Sequence, residues 1–220
     1  MFVLSCEPAT GAIPEWHKEH FRGKEDIVSS NEGWAPGSLN LAQAFSTRLH
    51  TLLAHGDITR LLIDLSCRPD DPERFSRFSK MLNDEQRRKL DERNHTIYLN
   101  VLRQRIRTEQ SRNGKAIHLS IRTEQRAGMA TVELKHDPSL DTESKFVRLW
   151  ADALRLAAPD LAVSVEVDPN YGLSTVLREA FPTDFGSISV VVDQAAFLDG
   201  KPLPWAQLKK HLLETLPKSL

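Results

Sequence analysis

The feature that most narrows the fold is a change of rhythm along the chain. Short apolar runs rich in β-branched residues alternate with stretches whose apolar positions recur at helical spacing. Strands of that kind need cover, and the amphipathic stretches supply it, so the pattern predicts an α/β sandwich: a mixed central sheet with helices on both faces. Six strands are expected, over Phe2 to Cys6, Leu61 to Ser66, Ala116 to Thr123, Met129 to Lys135, Leu161 to Val167 and Ser187 to Val192. Several read as continuous apolar runs, the signature of strands buried on both faces. Between the first two, Leu41, Ala44, Phe45, Leu49, Leu52 and Leu53 fall at helical spacing and His55-Gly56 supplies a stop, so one helix is expected from Ser38 to His55. A charged stretch from about Asn83 to Arg112, closed by Asn113-Gly114, reads as one long surface helix. There Arg87, Arg88, Lys89 and Arg93 meet acidic neighbours such as Glu85, Asp91 and Glu92, which describes a solvated face rather than a binding patch. Shorter helices are expected at Thr142 to Ala157, Ser174 to Ala180 and Trp205 to Leu216.

No repeat, linker or low-complexity segment divides the 220 residues, so residues 1–220 are read as one domain. The 29 basic and 30 acidic residues nearly cancel, which leaves no positive field for nucleic acid or an anionic membrane. No apolar run approaches the roughly 20 residues of a membrane span, and Phe2-Val3-Leu4 is too short for a signal peptide. A cytoplasmic protein is expected, with Cys6 and Cys67 as thiols.

Six collinear segments then resemble the N-formylglutamate amidohydrolase family. Leu4-Ser5-Cys6-Glu7-Pro8 with Ile13-Pro14 is similar to its opening strand, where Cys-Glu-His precedes a Gly-rich turn and a proline. Ser30-Asn31-Glu32-Gly33-Trp34-Ala35-Pro36-Gly37 resembles Ser-His-x-Gly-Trp-Asp-Pro-Gly, and Arg60 to Cys67 resembles Ser-Arg-Leu-Leu-Val-Asp-Leu-Asn-Arg. His118 to Arg122 resembles His-Val-Ser-Val-His, Gly172 to Phe181 resembles Gly-Leu-Thr-Thr-x-Leu-Arg-x-x-Phe, and Gly186 to Gln194 resembles Gly-Ile-Glu-Leu-Glu-Val-Asn-Gln in slightly shifted spacing. The resemblance implies a zinc-exopeptidase-like sandwich with its site at the carboxyl ends of the central strands. It also implies a zinc-activated water attacking a formyl or acyl amide, with Glu7 and Asp64 standing at family carboxylates.

The positions meant to do this chemistry are changed. Pro8, Asn31 and Arg122 stand where the family has histidines and Ala35 where it has an aspartate; Ser66 and Cys67 replace an Asn-Arg pair, and Ser189 and Val191 replace paired glutamates. Proline offers no side-chain donor, and arginine is a permanent cation that does not ligate zinc. The resemblance with these losses implies a catalytically degenerate protein without metal, binding a small acidic or amide ligand or a protein partner such as an active relative. A rival expectation is an active amidohydrolase whose zinc site is rebuilt from Glu7, Asp64, His118 and Asp193. Arg122 is expected either to pair with Glu7 or Asp64, replacing the lost metal charge, or to point to solvent.

Three further groupings have bland and sharp readings. Cys6 and Cys67, both at ends of expected strands, are either inert buried thiols or, with His118, a thiolate site. His17 and His20, with Glu19, stand at i, i+3 spacing suited to a metal, but Trp16 and Phe21 make an exposed helical turn with two apolar anchors the better reading. His50, His55, His95, His136 and His211 are expected at the surface, and Trp34, Trp150 and Trp205 in packing roles.

Overall fold

The computed structural model describes residues 1–168 and 172–218. Its centre is a six-stranded sheet in the order β2-β1-β3-β6-β4-β5. The strands are β1 (Phe2–Cys6), β2 (Leu53–His55), β3 (Ala116–Glu124), β4 (Val132–His136), β5 (Val163–Val167) and β6 (Phe185–Asp193). β1, β2, β3 and β6 run parallel, whereas β4 is antiparallel to β6 and β5 follows β4, so the sheet is mixed as expected. The helices are α1 (Glu25–Ser29), α2 (Ser38–Leu49), α3 (Asp84–Arg93), α4 (His95–Asn113), α5 (Asp141–Ala157), α6 (Leu173–Ala180), α7 (Ala195–Leu198) and α8 (Pro202–Thr215).

The two sheet faces carry different chemistry. On one, Leu4, Ile117, Leu119, Ile121, Ile188 and Val190 meet α2, α5 and α8 in an apolar layer centred on Trp150. Phe45 and Phe146 pack edge-on against that indole, with ring centroids 6.1 and 5.9 Å away. Such pairs each contribute about 1 kcal/mol beyond their area. On the other face, α4, α6 and the irregular segment 56–82 bury a second cluster around Leu62, Ile63, Leu102, Ile106 and Leu177.

Three expectations about elements are corrected. The expected strand Leu61 to Ser66 is a run of turns, tied by Leu62 N–H to Thr59 O at 3.0 Å and Asp64 N–H to Arg74 O at 2.8 Å. Its apolar side chains are buried, so the run has the composition of a strand without the pairing of one; periodicity cannot separate the two. The second strand lies earlier, inside the span expected to be helical: α2 stops at Leu49 because His50 turns left-handed at φ +50°, and Leu53–His55 then pairs with β1. Likewise the single long helix is two. Asn94, at φ −122° and ψ −72°, breaks the run between α3 and α4 while its side-chain amide donates to Leu90 O at 2.7 Å. Among the described residues no helix is long and apolar enough to cross a membrane.

Candidate functional site

Alternation along a strand sends successive side chains to opposite faces. In β1 it sends Leu4 and Cys6 to the apolar layer and Ser5 away from it; in β3 and β6 it does the same for His118, Ser120, Arg122, Ser187 and Ser189. The second face is therefore hydroxyl-lined rather than continuously apolar. Where β1, β3 and β6 end, this face opens into a cleft of about 380 Å³ whose walls include Glu7, Ser120, Arg122 and Ser189. The segment 66–73 adds Ser66, Cys67, Asp71 and Glu73, the end of β5 adds Asp168, and the first turn of α6 adds Ser174.

Glu7 is 3 % exposed at the floor of this cleft. Its two carboxylate oxygens accept from the Tyr98 hydroxyl at 3.0 Å and the Ser120 hydroxyl at 2.8 Å. Burial first, and then the Glu7 charge, push the Tyr98 phenol well above its ordinary value, so it remains a donor. Gly56 fixes the backbone beside it: its N–H donates to Cys6 O at 2.9 Å, and a Cβ there would lie 2.3 Å from Glu7 O. Deeper under the cleft, His118 is held between the hydroxyls of Ser5 and Ser187, each 2.8 Å from a ring nitrogen. Burial, helped by the Arg178 charge, lowers its pKa to about 3, which keeps the ring neutral. Arg178 in turn donates to Glu143 at 2.9 and 2.8 Å, to Asp168 at 3.0 Å and to Ser187 O at 2.8 Å.

The sequence-derived positions separate into groups. Glu7, Ser66, Cys67, Arg122 and Ser189 share the 380 Å³ cleft. Asn31 and Ala35 line a neighbouring cleft of about 240 Å³ with Arg60 and Gln125. Pro8 touches that side through its carbonyl, which accepts from Ala35 N–H at 3.0 Å. Asp64 turns to Ser66, accepting from its N–H at 2.9 Å and its hydroxyl at 2.6 Å, and Val191 is fully buried. Arg122 does not pair with Glu7 or Asp64: its Nε lies 2.9 Å from Glu124 Oε1, without the alignment of a hydrogen bond. Burial alone would raise the Glu124 carboxyl, but Arg122, Lys135 and Arg126 together hold it below its ordinary value. The rebuilt set of the rival expectation is not assembled either, since Asp193 turns to Ala195, accepting from its N–H at 3.0 Å, and His118 is taken by hydroxyls.

The thiolate reading is overturned. Cys6 faces the apolar layer and Cys67 the cleft, so the sheet lies between them. Burial, with Glu7, raises Cys6 well above the ordinary thiol value; burial, then Asp64 and Asp71, pushes Cys67 up to about 12. His95 and His136 are buried rather than at the surface, and His95 Nε2 lies 2.9 Å from Cys67 O. Sequence reasoning missed Asp168, Ser174, Asp71, Glu73 and Tyr98, which come from loops and helices whose approach to the strand ends only the fold creates. Ser120 and Ser174 carried a signal, each standing inside a quoted motif.

Zinc, which the resemblance implies, has no fitting donor set. Among the described residues no group of three or more His, Cys, Asp or Glu is arranged to hold a metal ion. No protein-family model matches the chain, and no curated protein matches it. Solved structures do. The crystal structure of a gene product from Agrobacterium tumefaciens superposes with a TM-score of 0.75 at 20 % identity, covering 98 % of this chain and 87 % of the other. That of N-formylglutamate amidohydrolase from Ralstonia eutropha gives 0.69 at 17 % identity, covering 97 % and 90 %. The chain has the fold of an N-formylglutamate amidohydrolase.

Proposed function

We propose that the chain is a catalytically degenerate relative of the N-formylglutamate amidohydrolases, whose 380 Å³ cleft binds a small ligand without hydrolysing it. The observation that carries this reading is the state of Glu7. The carboxylate best placed at the strand ends is buried with both oxygens occupied by Tyr98 and Ser120, and no histidine shares the cleft with it. A general base has to reach the proton that it removes, and this one is committed to two hydroxyls.

The lining also selects among ligands. Glu7, Asp71, Glu73 and Asp168 face a single arginine whose nearest carboxylate is Glu124. A dicarboxylate would meet like charge on most sides, so a neutral amide, satisfied by Ser66, Ser120, Ser174 and Ser189, is the better occupant. The test is elemental analysis of protein purified without chelator, followed by an assay of N-formylglutamate hydrolysis in excess zinc. No stoichiometric metal and no turnover are expected. Stoichiometric zinc with turnover overturns the reading.

A further inference from the structure

A second cleft, of about 400 Å³, lies away from the strand ends between the 3-10 turn Glu15–Phe21 and α3. Residues three apart eclipse one another in a 3-10 turn, so His17 and His20 lie together, with ring centroids 5.8 Å apart. The turn is exposed at Glu15, Lys18 and Glu19 and anchored by Phe21 as expected, but His17 is 7 % exposed, and Trp16, expected as the second anchor, is 66 % exposed. The Nδ1 atoms of both rings are buried and make no hydrogen bond to the protein. Each such orphan costs about 1–3 kcal/mol, so both rings hold unmet hydrogen-bonding capacity beside the cleft.

The surrounding charge says what kind of partner. Across the cleft α3 presents Lys89 and Arg93, and among the described residues none of the lining is acidic. The acidic side chains of the turn are engaged elsewhere, Glu15 with Lys18 at 2.5 Å and Glu19 with Arg22 at 2.7 Å, and Glu85 meets Lys89 at 2.6 Å without lining the cleft. Two cations beside two imidazoles repel a metal ion and attract an anion. Burial and then His20 already lower the His17 pKa, and an anion between the rings relieves that repulsion. The Arg93 guanidinium stands 5.9 Å over the Trp16 ring, so the exposed indole forms one wall next to the cation.

We infer that this cleft is a binding site for a small phosphate monoester carrying a planar ring, with His17, His20, Lys89 and Arg93 holding the phosphoryl group and Trp16 stacking on the ring. Donors that arrive from two elements suit a tetrahedral oxyanion better than a planar carboxylate. The inference does not depend on the function proposed for the strand-end cleft, which shares no lining residue with this one.

Isothermal titration of the full chain with phenyl phosphate, inorganic phosphate and benzoate tests it. Saturable one-to-one binding of phenyl phosphate is expected, with inorganic phosphate and benzoate each at least about tenfold weaker. Arg93→Met and Lys89→Met, both on exposed positions of α3, should weaken phenyl phosphate about tenfold, as should His17→Gln and His20→Gln. Trp16→Ala should weaken phenyl phosphate more than inorganic phosphate. Absence of saturable binding by the wild type, or binding indifferent to the α3 variants, overturns the inference. So does binding of zinc that His17→Gln abolishes while phenyl phosphate fails to bind. If His17→Gln does not fold, the two α3 variants carry the test alone.

Discussion

Arg178 joins three segments that are distant in sequence: α5 through Glu143, the end of β5 through Asp168 and β6 through Ser187 O. Glu143 is fully buried and Asp168 nearly so, so removing the cation leaves two carboxylates in a dry environment. Arg178→Gln is expected to destabilise the protein by about 3–5 kcal/mol, read from urea denaturation; a loss under about 1 kcal/mol would show the web to be unimportant. Cys67 makes the opposite kind of prediction. With its thiol pushed up to about 12, it should react with a maleimide at pH 7.5 far more slowly than a free cysteine does, and rapid labelling would contradict the geometry. At this scale the sequence was informative about identity and not about engagement. The resemblance implies that Arg122 stands where the family has a histidine, but the choice of Glu124 as partner depends on β3 continuing to residue 124, where both side chains emerge on one face.

Among elements, the helices with clear apolar stripes, α5 and α6, were legible within one residue at either end, because propensity, periodicity and packing agree there. The short strand β2 was not, since three residues give no period and an αL residue ended α2 where a glycine was anticipated later. His50 holds that left-handed conformation at a cost of about 1 kcal/mol. His50→Gly should accordingly raise stability by roughly 0.5–1 kcal/mol, measured as an increase in the midpoint of thermal unfolding. Gly56 argues the other way. A methyl group 2.3 Å from Glu7 O forces β2 from β1, so Gly56→Ala should destabilise the protein and loosen the Tyr98–Glu7 contact, visible as faster amide exchange at the end of β1.

For the whole molecule, pH is the informative variable. His118 has a folded pKa of about 3 against an unfolded value near 6.5. A histidine depressed in this way contributes fully above the unfolded value and loses its contribution as pH falls toward the folded one. Between pH 6.5 and pH 5 that loss is about 2 kcal/mol. The imidazole carbons of His118 should report a neutral ring throughout that range in the folded protein, and a protonation midpoint near pH 6.5 would refute the burial argument. The mixed sandwich itself was legible from the alternation of strand and helix patterns, and the strand-end position of the cleft from the resemblance. Its membership was legible only in part, because the loops that complete it carry no periodic signal. The difference between the two sheet faces has a further consequence. The side sealed by α2, α5 and α8 is apolar throughout, whereas the strand-end cleft on the other side is lined by hydroxyls and carboxylates that stand outside both apolar clusters. The scaffold thus behaves like a printed board soldered on both sides, with one open socket at its edge.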